Sequence, residues 1–207
     1  IITHPHSDHF GGMISVIDNG FIPKWFMDSG IETSHPVYAE LLNRVYTKKV
    51  SYKIAQPQQK IYVDESVDIE ILAPIHLYPA EVVDRAINNA SVVVKLTYKD
   101  FSVLFSGDIE TFAEMDLLEY KDKLKSTVLK VPHHGSFTSS SVPFLDAVSP
   151  KIAIISCGRG NPFGHPHQDT IEKLRARNIS IYRTDQNGNI TVITDGVNYK
   201  IEVEREY

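Results

Sequence analysis

The 207 residues are 42% hydrophobic and 23% charged, the balance of a soluble globular domain with one sizeable core. A formal net charge of −5 argues against a broadly basic nucleic-acid binder, so any DNA contact has to be local, in a cleft where bound cations reverse the field. No run approaches the roughly 20 apolar residues of a membrane span, no signal peptide is visible, and the single cysteine, Cys157, excludes an internal disulfide.

The chain opens on Ile1-Ile2-Thr3, read as the end of a buried strand, and runs straight into His4-Pro5-His6-Ser7-Asp8-His9-Phe10-Gly11-Gly12. His4 and His6, on an extended stub or tight loop, can turn their imidazoles to one ion, while Asp8 and His9, one turn further on, can face a second. Imidazole with carboxylate suits zinc, manganese or iron, and two such ions about 3.5–4 Å apart can clamp the attacking and leaving oxygens of a hydrolysis. Gly11-Gly12 are expected to let the backbone turn tightly beneath the cluster before a helix over 12–17. A second helix is capped by Ser34, carries Pro36 in its first turn and turns Leu41, Leu42 and Val45 inward. A strand covers 69–72, and 91–98 pairs with 101–105 through Lys99-Asp100. Helix and strand then alternate: helix 111–120, strand 127–131, helix 142–148, strand 152–156, helix 169–177, strand 179–183. A closing hairpin pairs 190–193 with 199–203 across Asp195-Gly196, with Gln186-Asn187-Gly188-Asn189 as the turn signal that leads into it. The expectation is an α/β fold in one domain, 1–207, without repeat or linker.

Three later clusters fall where a strand ends in polar residues, the place where open α/β sheets put their chemistry. In Phe105-Ser106-Gly107-Asp108 the strand delivers Asp108 at its tip, and Gly107 removes a side chain that would block an ion. One carboxylate with two oxygens can bridge two metals. The plainer reading, Asp108 as the cap of the next helix, loses ground beside the histidine cluster. Lys130-Val131-Pro132-His133-His134-Gly135-Ser136 ends another strand, and adjacent side chains on an extended segment point to opposite faces, so one of His133 and His134 meets the site. In Gly158-Arg159-Gly160-Asn161-Pro162-Phe163-Gly164-His165-Pro166-His167, His165 or His167 could complete the second metal's shell and Arg159 could hold a phosphate oxygen. Equally, His167 can simply precede a helix and Arg159 be a solvated charge. His35 and His76, alone beside prolines, read as loop residues.

Together these motifs resemble the metallo-β-lactamase superfamily of hydrolases, whose H-x-H-x-D-H signature is met by His4, His6, Asp8 and His9 and whose bridging aspartate matches Asp108. Within it, Ser106-Gly107-Asp108, the segment 129–136, Gly158-Arg159-Gly160-Asn161 and Gly164-His165-Pro166-His167 look like the hydrolase domain of ComEC-type competence proteins. The resemblance implies an αββα sandwich with the site at one edge of two sheets, and a metal-dependent nuclease acting on DNA. Single-stranded DNA or another phosphodiester is then the partner, and zinc or manganese the ion. The resemblance also implies that opening strands of the fold are missing from these residues, leaving the domain N-terminally incomplete. As part of a competence-type membrane protein the domain would lie outside the cytoplasm, and otherwise within it. A further histidine of the superfamily precedes the strand pair that leads to the aspartate, yet 86–91 contains none; Asn88 or Asn89 could donate a weaker amide oxygen there.

The expected mechanism is hydrolysis by a metal-bound hydroxide at a dinuclear site, with the metals and a histidine or Arg159 stabilising the developing charge. The ligands are His4, His6, Asp8, His9, Asp108 and His165. Asp8, His133 and His134 are the catalytic candidates, one histidine orienting the substrate or protonating the leaving oxygen, and Arg159, Ser136 and Asn89 are the substrate-binding ones. A carbonyl-directed hydrolase of the same fold, for a lactone, thioester or amide, is the alternative. A di-iron oxidoreductase is disfavoured because that resemblance would put Glu at the position of His6, and a non-catalytic domain because His4, His6, Asp8, His9 and Asp108 are all retained.

Overall fold

Alternation sorts the apolar residues of the central strands onto two faces, and that sorting organises the molecule. In the computed structural model, which describes residues 1–76, 78 and 83–206, the first half runs α1 (Ser7–Asp18), β1 (Trp25–Asp28), α2 (Pro36–Thr47), β2 (Ser51–Ile54), β3 (Lys60–Tyr62), β4 (Val67–Ala73), α3 (Val83–Asn89). It continues through β5 (Val93–Tyr98), β6 (Phe101–Phe105), α4 (Thr111–Leu117), β7 (Val128–Lys130), α5 (Val142–Val148), β8 (Ile152–Ile155) and α6 (Gln168–Arg175). The last elements are β9 (Ser180–Arg183), a short α7 (Thr184–Asn187), β10 (Ile190–Thr194) and β11 (Tyr199–Val203). Seven strands form one sheet in the order β3-β4-β5-β6-β7-β8-β9, antiparallel up to β6 and parallel from there. Strands β1 and β2 pair parallel, and β10 and β11 form an antiparallel hairpin.

On one face of the large sheet Leu72, Val93, Leu104, Leu129 and Ala153 pack against Ala113 and Leu117 of α4, Phe144 and Leu145 of α5, and Ile171 and Leu174 of α6. Their chain neighbours turn the other way. Ile71 and Val94 meet Met27 of β1 and Ala55, and Val103, Val128 and Ile152 meet Val192, Tyr199 and Ile201 of the hairpin. Beyond β1, Phe26 packs with Phe10 and Ile17 of α1 and Tyr38, Leu41 and Val45 of α2. The layers are helix, sheet, sheet, helix, the αββα sandwich that the resemblance implies.

Several local expectations are corrected. Helix α1 begins at Ser7, ahead of Gly12, because the ligand motif itself supplies its start: Asp8 lies in the first turn, at the positive end of the helix dipole. Gly11 and Gly12 are therefore helical, with open space where a Cβ would stand, and no tight turn passes beneath the cluster. Ser34 does not cap α2; the N-cap is His35, whose N–H donates to Thr33 Oγ1 at 3.2 Å. Helix α4 stops at Leu117 and passes into a 3-10 turn, Leu118–Leu124. Strand β2 escaped notice because its polar–apolar alternation runs over only four residues, too short a stretch to stand out.

Glu114 of α4 fastens that helix to the start of α5. It is fully buried, and its carboxylate accepts the N–H groups of Ser140 at 2.5 Å and Ser141 at 2.8 Å. Burial pushes its carboxyl group up in pKa, against the opposing effect of those donors. Glu114→Ala is expected to lower stability by about 2–4 kcal/mol, since both N–H groups lose their acceptor. A denaturant midpoint close to the parent's would show that the two amides find other partners.

Candidate metal centre

The N-terminal segment is tied between the sheets before it reaches the ligands. Ile2 N–H donates to Met27 O and Val92 N–H to Thr3 O, both at 2.8 Å, and His4 follows, fully buried. Helix α1 then carries Asp8 and His9, the segment after β6 delivers Asp108, and the turn after β7 delivers His134.

Asp108 stands between two groups of ligand atoms. Its Oδ2 lies 3.1 Å from His134 Nε2, 3.2 Å from His9 Nε2 and 3.9 Å from His4 Nε2. On one side His4 Nε2 and His6 Nδ1 approach to 3.1 Å. On the other, Asp8 Oδ2 is 3.4 Å from His9 Nε2 and 3.1 Å from His134 Nε2, so Asp8, His9, Asp108 and His134 each offer a ligand atom within 4.8 Å of the others.

The outer ring nitrogens have partners of their own, which turns the inner atoms toward the cluster. His134 Nδ1 lies 2.7 Å from the Ser156 carbonyl oxygen, which can only accept, so Nδ1 carries the hydrogen and Nε2 faces the cluster. Thr3 Oγ1 is 3.1 Å from Nδ1 of both His4 and His9, and Ser91 Oγ is 3.1 Å from His4 Nδ1 while accepting Asp108 N–H at 3.0 Å. Asp108 Oδ1 is buried without a hydrogen-bond partner, with Lys130 Nζ at 3.6 Å. An unsatisfied carboxylate oxygen beside converging imidazole nitrogens fits a divalent cation of the zinc, manganese or iron type. Thr3, Ser91 and Lys130 were not foreseen as supports: Thr3 is marked only by its place before His4, and Ser91 belongs to no motif.

Gly107 has a different task from the one expected. Its φ is +54°, and a Cβ there would come within 2.6 Å of Ser91 Cβ and 3.2 Å of Thr3 Cβ, so its bareness makes room for the supporting hydroxyls. The His133-His134 segment is not extended either. His133, His134 and Gly135 all have positive φ, +48°, +54° and +82°. This left-handed turn sends His134 into the cluster and leaves His133 Nδ1 3.1 Å from Thr138 Oγ1 and 3.6 Å from Glu110 Oε1.

The group of four thus includes His134 and not His165. The His165 ring lies outside the set, beside His134, with centroids 6.1 Å apart and planes at 20°. His167 stands at the N-cap of α6, and its Nδ1 accepts the Phe137 N–H at 3.2 Å. Arg159 Nε donates to the Asp185 carbonyl at 3.2 Å. Ser136 is buried, its Oγ 3.0 Å from Thr138 Oγ1, and shapes the turn. Asn89 Oδ1 accepts Glu110 N–H at 2.9 Å and Ala113 N–H at 3.3 Å, and so caps the start of α4. Asn88 donates to Glu110 Oε1 at 3.2 Å and keeps a buried Oδ1 without a partner. A cleft of about 670 Å³, lined by His6, Glu32, Thr33, His35 and Ile87 among others, opens beside His6.

Burial pulls the His4 pKa down to about 3. Burial also works against charge on His134, but its hydrogen bonds with Asp108 and Asp8 prevail and raise it to about 9; the same carboxylates raise His9. Asp108 is held well below the carboxylate range although burial opposes this, through His134, His9 and Lys130. Asp8 is lowered by its bonds with His134 and His9. In the metal-free protein the raised His134 therefore contributes stability that is complete below its unfolded value of about 6.5 and lost as pH rises through about 9. A metal ion has to displace that proton. Metal binding at neutral pH is expected to release protons and to tighten as pH rises toward 9. Calorimetry in buffers of different ionisation enthalpy measures the release, and its absence would contradict this charge pattern.

A four-layer sandwich with a histidine and aspartate cluster at the ends of its strands defines a metal-dependent hydrolase class. The chain belongs to the metallo-beta-lactamase superfamily, which matches residues 1–159. It is 30% identical over 190 residues to ComE operon protein 3 of Bacillus subtilis, covering 92% of this chain and 24% of that protein. Competence protein ComA of Neisseria gonorrhoeae is 32% identical over 189 residues, covering 91% of this chain and 24% of that protein. The chain thus spans about a quarter of the length of these curated relatives, consistent with the resemblance to a ComEC-type hydrolase domain. Among solved structures, a candidate metal-dependent hydrolase from Parabacteroides distasonis shares the fold with a TM-score of 0.53 at 16% identity, over 89% of this chain and 74% of the other. No helix among the described residues is long and apolar enough to cross a membrane.

Proposed function

We propose that these residues form a single hydrolase domain in which two divalent cations, zinc or manganese, share Asp108 and serve the hydrolysis of phosphodiester bonds in DNA. The observation that carries the dinuclear reading is the approach of one oxygen, Asp108 Oδ2, to His4 on one side and to His9 and His134 on the other, at 3.9, 3.2 and 3.1 Å. One ion would be held by His4, His6 and Asp108, the other by Asp8, His9, His134 and Asp108. Asn88, with its buried acceptor, is the amide in the segment where the superfamily resemblance calls for one more ligand. When bound, the cations supply Lewis acidity and lower the pKa of a coordinated water toward neutrality. Thr3, Ser91 and Ser156 hold the rings, and His133, with its Nδ1 engaged by Thr138, orients the substrate beside them. The likeness to competence proteins supports DNA as the substrate class.

The test is metal analysis together with hydrolysis of single-stranded DNA and bis(p-nitrophenyl) phosphate, run beside a lactam and a thioester with zinc- or manganese-loaded protein. Phosphodiester cleavage that disappears in Asp8→Ala is the expected result; Asp8 is exposed, so the variant keeps the fold. Turnover of a carbonyl substrate alone would move the protein to the carbonyl-directed class, and a protein that binds no ion would be a non-catalytic domain.

A further inference from the structure

Beside the metal cluster a second group of rings lies open to water. Phe163 is 72% exposed and Phe137 63%. Phe163 stacks on His165, with centroids 5.7 Å apart and planes at 23°, and His165 stacks on His134 at 6.1 Å and 20°. Three rings with near-parallel planes thus lead from a cluster residue out to solvent. Phe137 meets His167 edge-on at 4.9 Å, and His167 meets His165 in the same way at 4.9 Å.

The frame that holds these rings is rigid. His167 N–H donates to Gly135 O at 3.0 Å, Phe137 N–H donates to His167 Nδ1 at 3.2 Å, and Pro166 fills the space where a Gly135 Cβ would stand. Two phenyl rings held in place and left exposed add little to the core and offer flat apolar faces beside the cluster.

We infer that this ledge stacks the unpaired bases of a nucleic-acid strand and makes the site selective for single strands over duplex. The inference rests on the phosphodiesterase reading. A strand with a phosphate at the Asp108 cluster carries its flanking bases out along the stacked rings, and only an unpaired base has a face to offer. With a net charge of −5 the chain has little general attraction for phosphates, so stacking has to supply the grip that basic residues supply elsewhere. A protein partner suits the ledge less well, because the phenyl rings are separated by imidazoles and form no continuous apolar centre.

Phe137→Ala, Phe163→Ala and the double variant test this in the metal-loaded full chain. Fluorescence anisotropy would compare a labelled oligothymidylate, a strand of the same length made of abasic sugars, and the oligothymidylate paired in a duplex. The parent is expected to bind oligothymidylate at least about 10-fold more tightly than the abasic strand or the duplex. Each single variant loses about 5-fold or more, and the double variant binds all three alike. Equal binding of oligothymidylate and abasic strand by the parent overturns the inference. So does unchanged binding by the variants, including the case in which size-exclusion chromatography shows that they alter self-association, which would assign the ledge to a second copy of the chain. Binding is read apart from turnover. A protein that binds by stacking but cleaves no phosphodiester refutes the proposed reaction and keeps the ledge, whereas cleavage indifferent to bases refutes the ledge alone.

Discussion

Asp108→Ala is expected to reduce hydrolysis by more than about 100-fold, beyond the loss usual for a group that only supports a ligand. It should also strip the protein of most of its second equivalent of metal. The carboxylate is close to both sides of the cluster, with Oδ2 at 3.9 Å from His4 Nε2 and 3.1 Å from His134 Nε2. Its removal also leaves Asp8 as the remaining acid against His9 and His134. The pKa of His134 should then fall below its present value of about 9, since burial would be opposed by one carboxylate instead of two. Native mass spectrometry counts the ions, and steady-state kinetics gives the activity. Retention of both ions with activity within tenfold of the parent would remove Asp108 from the centre of the site. His165→Ala is the companion measurement. Because that ring stands outside the ligand set, both ions should remain bound.

Gly107→Ala should damage the site without touching a ligand atom. The new Cβ meets Ser91 Cβ at 2.6 Å, Ser91 Oγ at 2.8 Å and Thr3 Cβ at 3.2 Å, at a backbone φ of +54° that a side chain rarely tolerates. Ser91 and Thr3 set the rings of His4 and His9, and Ser91 also receives the Asp108 amide. Displacing supports of this kind typically weakens metal binding 10- to 100-fold, and the strained backbone should cost about 1–3 kcal/mol of stability besides. Chelator competition gives the affinity and thermal unfolding the stability. Metal affinity equal to the parent's would show that the hydroxyls yield without moving the rings. The single variant Ser91→Ala, which removes that hydroxyl and keeps Gly107, gives the loss due to this support alone, without the φ strain.

Periodicity carried the second half of the fold. Helix α5 occupies the residues predicted for it, and β5 and β6 pair through Lys99-Asp100, because their apolar residues alternate between two buried faces. Strands β1, β2 and β3, three or four residues each, offered too little pattern to read. Ligand types were legible at 4–9 and at Asp108, where strong donors crowd a strand end. Their partners were not. Which of His133 and His134 enters the cluster depends on two consecutive left-handed residues that are not glycine, a conformation that no period announces. Asn89 looked like a spare amide until α4 was seen to begin beneath it, and Thr3 and Ser91 belong to the site only through folding.

The chain distances within the cluster give the ions a mechanical part as well. His9 meets Asp108 across 99 residues of sequence and His134 across 125. An ion held by these groups would act as a reversible crosslink that closes two long loops of the unfolded chain, the situation in which a clip removes the most disorder. The segment so clipped is the one that threads between β1 and Val92, through the hydrogen bonds of Ile2 and Thr3. Chelation is then expected to unbutton the seam between the two sheets. A protease or hydrogen exchange should find that seam first, well before the helices packed on the far face.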